Sequence, residues 1–160
     1  MEEVTEVRIA RIHPDAKLPQ QGSDFAAGFD LHSVERVEII KGTTEMLPTG
    51  LVLAIPAGWE GQVRCRSGLG KKGLILPNGV GTIDADYRGE LMVLAHWIGQ
   101  QDSFVVEKGE RIGQLLIKRV PKVKFIEVQK EDLGKLKEQK RYLQKEHYDK
   151  FVENQGVINK

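Results

Sequence analysis

This 160-residue chain holds a single cysteine, Cys65, so it can form no internal disulfide, and a reducing compartment is expected. Its four histidines, His13, His32, His96 and His147, show no metal-ligand spacing, which argues against a zinc site. Neither sign of charge is in excess. The net charge is +1, with acidic and basic residues interspersed, so no nucleic-acid or membrane surface is indicated. An acidic small ligand would therefore need a local basic cluster. No apolar run approaches the roughly 18 residues that a membrane span requires, and no charged-then-apolar leader opens the sequence. A soluble cytoplasmic protein is the expectation. Internal repeats are not evident.

What the chain has in quantity is glycine, 17 residues, which implies many tight turns. Short apolar runs lie between those turns: Val7–Ile9, Val34–Ile40, Leu51–Ile55, Gln62–Cys65, Leu74–Leu76, Glu90–Trp97, Phe104–Val106, Leu115–Ile117 and Val123–Val128. Many short strands at close spacing, with no helix predicted before residue 129, argue an all-β sandwich or barrel. Residues 1–128 then form one β domain and residues 129–160 a separate tail. From Glu131 to Asn154 the tail is rich in Lys, Glu, Gln and Leu, which favour helix. Leu136, Leu143, His147 and Phe151 fall on one face of that helix, and Gly134 weakens its start.

The stretch around which the chain is organised runs from Asn78 to Glu90. Asn78-Gly79 is a strong signal for a type I′ hairpin, in which both residues take positive φ. Glycines there leave main-chain groups uncovered, so a flat ligand can be read by backbone hydrogen bonds. Asp84, arriving just beyond the turn, is placed to act as a base. The alternative is a solvated, salt-bridged turn. Arg66-Ser67-Gly68-Leu69-Gly70 sets a guanidinium, a hydroxyl and exposed amides at a strand end, a combination that holds phosphate oxygens or simply makes a basic turn. Gly109 to Leu115 leads into a strand with Gln114 as a hydrogen-bonding arm. Gly28-Phe29-Asp30 offers a carboxylate for Arg66.

Taken together and in this order, Ala27-Gly28-Phe29-Asp30-Leu31, Arg66-Ser67-Gly68-Leu69, Gly81 to Glu90 and Gly109 to Leu115 resemble the first four of the five motifs of the trimeric dUTPases. Pro48-Thr49-Gly50 is a further similarity. The resemblance spans roughly residues 5 to 128. It implies a distorted jelly-roll β-barrel, to which this chain adds the helical tail read from its composition, assembled as a homotrimer with sites at subunit interfaces. The implied reaction is hydrolysis of dUTP to dUMP and pyrophosphate, which lowers dUTP and supplies dUMP for thymidylate synthesis. Asn78, Thr82 and Ile83 would line the uracil pocket, Met92 would lie near the base, and Tyr87 would pack under the deoxyribose. Asp84 would activate the attacking water. Arg66, Ser67, Gly68 and Gln114 would contact the triphosphate, with Asp30 orienting Arg66. Mg²⁺ would be held through substrate phosphates and water, with no direct protein ligand.

One departure is plain. The family's fifth motif, an Arg followed by a glycine-rich arm whose Phe caps the uracil, has no counterpart after Val128. The helical tail could supply Phe151 or Tyr148 over the base and Arg141 or Lys150 toward the γ-phosphate. It could equally serve the trimer while the site works unlidded. Two other functions fit the same scaffold: a nucleotide-responsive binding or regulatory protein, and a dCTP deaminase relative.

Overall fold

The computed structural model describes residues 4–158, and side chains up to Lys150 with the exception of Tyr148. The tail candidates Phe151 and Tyr148 therefore lie outside the described side chains. Two compact units are present, residues 1–122 and 123–160.

The first unit is built from twelve short strands and one short helix. In chain order these are β1 Arg8–Arg11, β2 Gln20–Gln21, β3 Phe29–His32, β4 Val37–Ile40, β5 Thr44–Pro48, β6 Leu51–Ala54, β7 Trp59–Arg64, α1 Ser67–Lys72, β8 Leu74–Ile75, β9 Gly81–Ile83, β10 Met92–Trp97, β11 Ser103–Val106 and β12 Arg111–Arg119. All pairs are antiparallel. The largest sheet has the order β2-β3-β12-β7-β9, a second has β5-β10-β8, and β1-β6 and β11-β4 complete the jelly-roll. Alternation explains which faces turn inward: on β7, Gly61 and Val63 are buried while Glu60, Gln62 and Arg64 are not. The inward residues meet in one apolar core that includes Leu31, Ile39, Leu47, Leu51, Leu91 and Val93.

Three local features depart from expectation. The first is α1, a helix well before residue 129. Its sequence, with two glycines in six residues, is poor in helix formers, but Leu69 is buried in the core. Gly73, with φ 109°, closes the helix by donating its N–H to the carbonyls of Leu69 and Gly70. Tertiary packing thus overrides propensity.

The second concerns Asn78-Gly79, which is not a type I′ hairpin. Only Gly79 has positive φ, and its N–H donates to the Leu76 carbonyl at 3.0 Å. Pro77 sets the first central position of this turn at negative φ, leaving Asn78 as the second. The flanking strands do not pair with each other: β8 pairs with β10 and β9 with β7.

The third is the Val123–Val128 stretch, which is not a strand. It has no regular structure and is exposed, with Phe125 at 93% and Ile126 at 77% accessibility, and no strand of the described residues pairs with it. The second unit continues into a short 3-10 turn at Lys130–Asp132 and then a long helix, α2, Leu133–Ile158. Leu136, Leu143 and His147 line a common groove on α2. Its polar surface carries i,i+3 and i,i+4 pairs, Lys135 with Asp132 and Lys150 with Glu146.

The segment that carries the third motif is fixed at its far end by Pro48-Thr49-Gly50. The buried Thr49 hydroxyl donates to the Leu91 carbonyl at 2.6 Å, and the Gly50 N–H donates to Glu90 Oε1 at 2.8 Å. Leu91 returns its own N–H to the Leu51 carbonyl at 2.7 Å. Gly50 has no substitute here, because φ is +68° and a Cβ would lie 2.7 Å from the His13 Cβ. Thr49→Val keeps the shape and removes the hydroxyl, so urea unfolding is expected to show a loss of about 1–2 kcal/mol. An unchanged midpoint would remove this bond from the account of how the loop is held.

Candidate active site

Two groups of residues emerge from this framework. The first is a pocket of about 210 Å³ lined by Thr82, Ile83, Asp84, Tyr87 and Met92. Thr82 and Ile83 come from β9, the edge strand of the large sheet, whose described pairing is with β7 alone. An edge strand presents unpaired N–H and C=O groups, which suits main-chain recognition of a flat ring. Asp84 opens the turn that follows, closed by the Tyr87 N–H donating to the Asp84 carbonyl at 3.1 Å. The Tyr87 hydroxyl donates to the Glu90 carbonyl at 2.9 Å, and a Cβ on Gly89 would fall 2.4 Å from that hydroxyl. Gly89 thus lets the phenol ring lie flat against the chain. Arg88 ties the turn from outside, donating to the carbonyls of Ala85 and Tyr87. Asn78 is exposed and does not line this pocket; its amide leans on Gly81 instead.

The second group lies on one face of the β3-β12-β7 sheet. Asp30, Gln114 and Arg64 stand opposite one another across three strands. Arg66 Nε lies 3.5 Å from Asp30 Oδ1, and Arg111 Nη1 lies 3.5 Å from Asp30 Oδ2. Gln114 Nε2 donates to the Cys65 carbonyl at 3.1 Å, and a Cβ on Gly28 would come within 2.5 Å of Gln114 Oε1. Gly28 therefore clears the space in which the Gln114 amide sits. Ser67 and Gly68 follow Arg66 into the first turn of α1, exposed, with open space around Gly68.

A register shift between Arg111 and Gly113 explains the second group. Arg111 stands opposite His32 and Gln114 opposite Asp30, so both share the face of β3 that carries His32 and Asp30. Residues three apart on a regular strand point to opposite faces. Only a bulge at Ile112 brings them to one. The sequence does not single out Arg111 or His32, since regular alternation would set Arg111 and Gln114 on opposite faces and His32 stands in no motif. Lys17 offered no sequence signal at all.

The chemistry available is positioning and charge rather than covalent attack. Burial pushes the Cys65 thiol above its ordinary value, so it stays protonated. No cluster of three or more His, Cys, Asp or Glu side chains is present among the described residues. A larger pocket of about 460 Å³ is lined by apolar residues such as Val7, Ile9, Phe29, Trp59 and Ile117 and carries no titratable group. It is a packing surface and not a reaction centre. The 210 Å³ pocket is smaller than the roughly 300–1,000 Å³ of a complete ligand site, as half of a site would be.

His32 is half-buried, with Nδ1 enclosed and without a partner. Burial first, then the charge of Lys17, lowers its pKa from the usual 6.5, with Asp30 opposing. The unfolded chain therefore binds this proton more readily than the folded one. Stability present above pH 6.5 is lost as the pH falls from there through the depressed folded value. Between pH 7.5 and 5.0 the Tm is expected to fall, and His32→Gln should flatten that fall. Equal slopes for the two proteins would rule out His32 as the responsible group.

Comparison with known proteins shows the family of the chain. The dUTPase family model matches residues 14–141. The deoxyuridine 5'-triphosphate nucleotidohydrolase of Solibacter usitatus is 43% identical over 125 residues, covering 76% of this chain and 84% of that protein. The protein of the same name from Mycobacterium leprae is 41% identical over 138 residues, covering 86% and 90%. A mutant dUTPase from phage phi11 of S. aureus, solved to show coordination of a structural Mg(II) ion, superimposes with a TM-score of 0.72 at 20% identity. It covers 79% of this chain and 99% of that one.

Proposed function

Because the chain belongs to the dUTPase family, we propose that the 210 Å³ pocket and the Asp30-Arg66-Gln114 group are the two halves of one dUTP site. The protein is a dUTP diphosphatase: it hydrolyses dUTP to dUMP and pyrophosphate. No observation favours a regulatory protein or a deaminase. The observation that carries the site assignment is the pocket itself, in which Asp84 and Tyr87 share walls with the exposed edge of β9.

In this reading Thr82, Ile83 and Met92 enclose the uracil, whose polar edge meets main-chain groups of the β9 edge and the Asn78 turn. An amino group in place of the uracil 4-oxygen reverses one donor–acceptor pair, and each mismatch costs about 1–3 kcal/mol. Tyr87, locked to the Glu90 carbonyl, lies under the deoxyribose and leaves no space for a 2′-hydroxyl. Asp84 is exposed at the pocket's rim, where it takes a proton from the water that attacks the α-phosphorus. Arg66, Ser67, Gly68 and Gln114 hold the phosphates, and Asp30 fixes the direction of the Arg66 fork. Such positioning and charge compensation supply most of what phosphoryl transfer needs.

Mg²⁺ fits this site as a companion of the substrate. No group of three or more His, Cys, Asp or Glu among the described residues could hold the ion, and Mg²⁺ would be held through the substrate's phosphates and water. Bound there, it neutralises charge on the triphosphate. A homotrimer joins the two half-sites across a subunit boundary. Support comes from the Val123–Val128 segment, whose exposed Val123, Phe125 and Ile126 have the residue character of a strand awaiting a partner. A cytoplasmic location suits the single free cysteine, and no described helix is long and apolar enough to cross a membrane.

Asp84→Asn should bind dUTP nearly as the parent does while turnover falls on the order of 10²–10⁴-fold. Steady-state assays across dUTP, dCTP, dTTP and UTP with Mg²⁺ read this directly, and near-normal turnover would refute the base assignment. Phe125→Asp should lower the mass seen in sedimentation from trimer toward monomer. A variant that stays trimeric would exclude this segment from the assembly.

A further inference from the structure

We propose that Lys17 and Arg111, together with Arg66, form a seat for the terminal phosphate of the substrate, with Lys17 as its exposed point charge. This rests on the reading of Arg66 and Gln114 as phosphate contacts and extends it outward.

Asp30 is flanked by two guanidiniums, one on each carboxylate oxygen. Lys17 is exposed, and its ammonium lies 3.4 Å from the point where a Gly109 side chain would begin. It has no carboxylate partner among the described residues. The nearby Asp15 is already paired with Lys108. His32, next on the same face of β3, reports the convergence, because Lys17, Arg111 and Arg66 all oppose its protonation and only Asp30 favours it. Two guanidiniums thus flank the one carboxylate and Lys17 adds a third positive charge to the field at His32, an excess of two positive charges over Asp30 within a chain whose net charge is +1. This is the local basic cluster that an acidic ligand requires.

The backbone holds the cluster in place. The Gly109 N–H donates to the Ser33 carbonyl at 2.7 Å and the Ser33 N–H to the Glu110 carbonyl at 2.9 Å, which extends the β3-β12 pairing into the turn beside Lys17. Glu110 Oε2 accepts from the Glu107 N–H at 2.8 Å and closes that turn. On the other side Ala16, buried in the core, anchors the residue before Lys17. The cations are therefore set by rigid chain, and only their side-chain ends adapt. A triphosphate supplies what the cluster lacks. Gln114 faces the phosphates nearer the sugar, Arg66 and Arg111 flank the terminal one, and Lys17, a compact cation on a flexible stem, reaches it from outside.

The test compares Lys17→Met with the parent in calorimetric binding of α,β-imido-dUTP, dUDP and dUMP with Mg²⁺. Loss of one charge-assisted contact should weaken the triphosphate analogue about tenfold and leave dUMP unchanged, with Lys17→Arg restoring most of the loss. Equal affinities of Lys17→Met and parent for the triphosphate analogue would overturn the proposal, as would an equal loss on dUMP. If the parent itself does not prefer the triphosphate analogue to dUMP, the assignment of Arg66 and Gln114 fails and this seat fails with it. A parent that prefers it, paired with an indifferent Lys17→Met, sinks only the role of Lys17.

Discussion

One extra residue in β12 sets the geometry on which the polar half of the site depends. The bulge at Ile112 rotates Arg111 onto the face that already carries Gln114, Asp30 and His32. Without it, Arg111 would point away from the Asp30 carboxylate, and Arg66 would be that group's only cationic neighbour. With it, the two guanidiniums share a single acid, and the Gln114 amide lies between Gly28 and the Cys65 carbonyl. Bulges beside active sites commonly re-aim a side chain in this way. Here the re-aimed group creates a local positive field in a chain that is nearly neutral overall.

The apolar half depends on a different device. The third motif is a long excursion between β9 and β10, strands that belong to different sheets and cannot brace it by pairing with each other. The bracing comes from Thr49 and Gly50, which grip Leu91 and Glu90 through side-chain and main-chain hydrogen bonds. Glu90 also accepts the Tyr87 hydroxyl on its carbonyl, so the same short segment fixes both the ring and the end of the loop. The Asp84 side chain remains exposed because main-chain groups and the Arg88 guanidinium hold the turn.

The tail carries the family's largest departure. In place of a glycine-rich arm there is a helix whose described residues are almost wholly exposed and carry short-range ion pairs. Helices of this kind draw their stability from local pairs more than from a buried stripe. The segment before it, Val123–Val128, is apolar yet unpaired among the described residues.

Residues whose effect is local could be understood from sequence. The all-β class followed from period-two alternation and turn chemistry, the tail helix from a run of helix formers, and the third motif from its own dense string of residues. Gly28, Arg66 and Gln114 were recognisable because each sits in a distinct short motif. Features set by remote neighbours were not. The turn at Asn78 took its form from Pro77 and from strands that pair elsewhere, and α1 formed because the core accepted Leu69. Lys17, His32 and Arg111 are separated by up to 94 positions in the chain (111 − 17) and carry no shared pattern. The amino-acid sequence by itself determined the elements and most of the chemistry they carry. Only the tertiary structure decided which side chains face one another, because facing depends on strand register, and a single inserted residue reverses it.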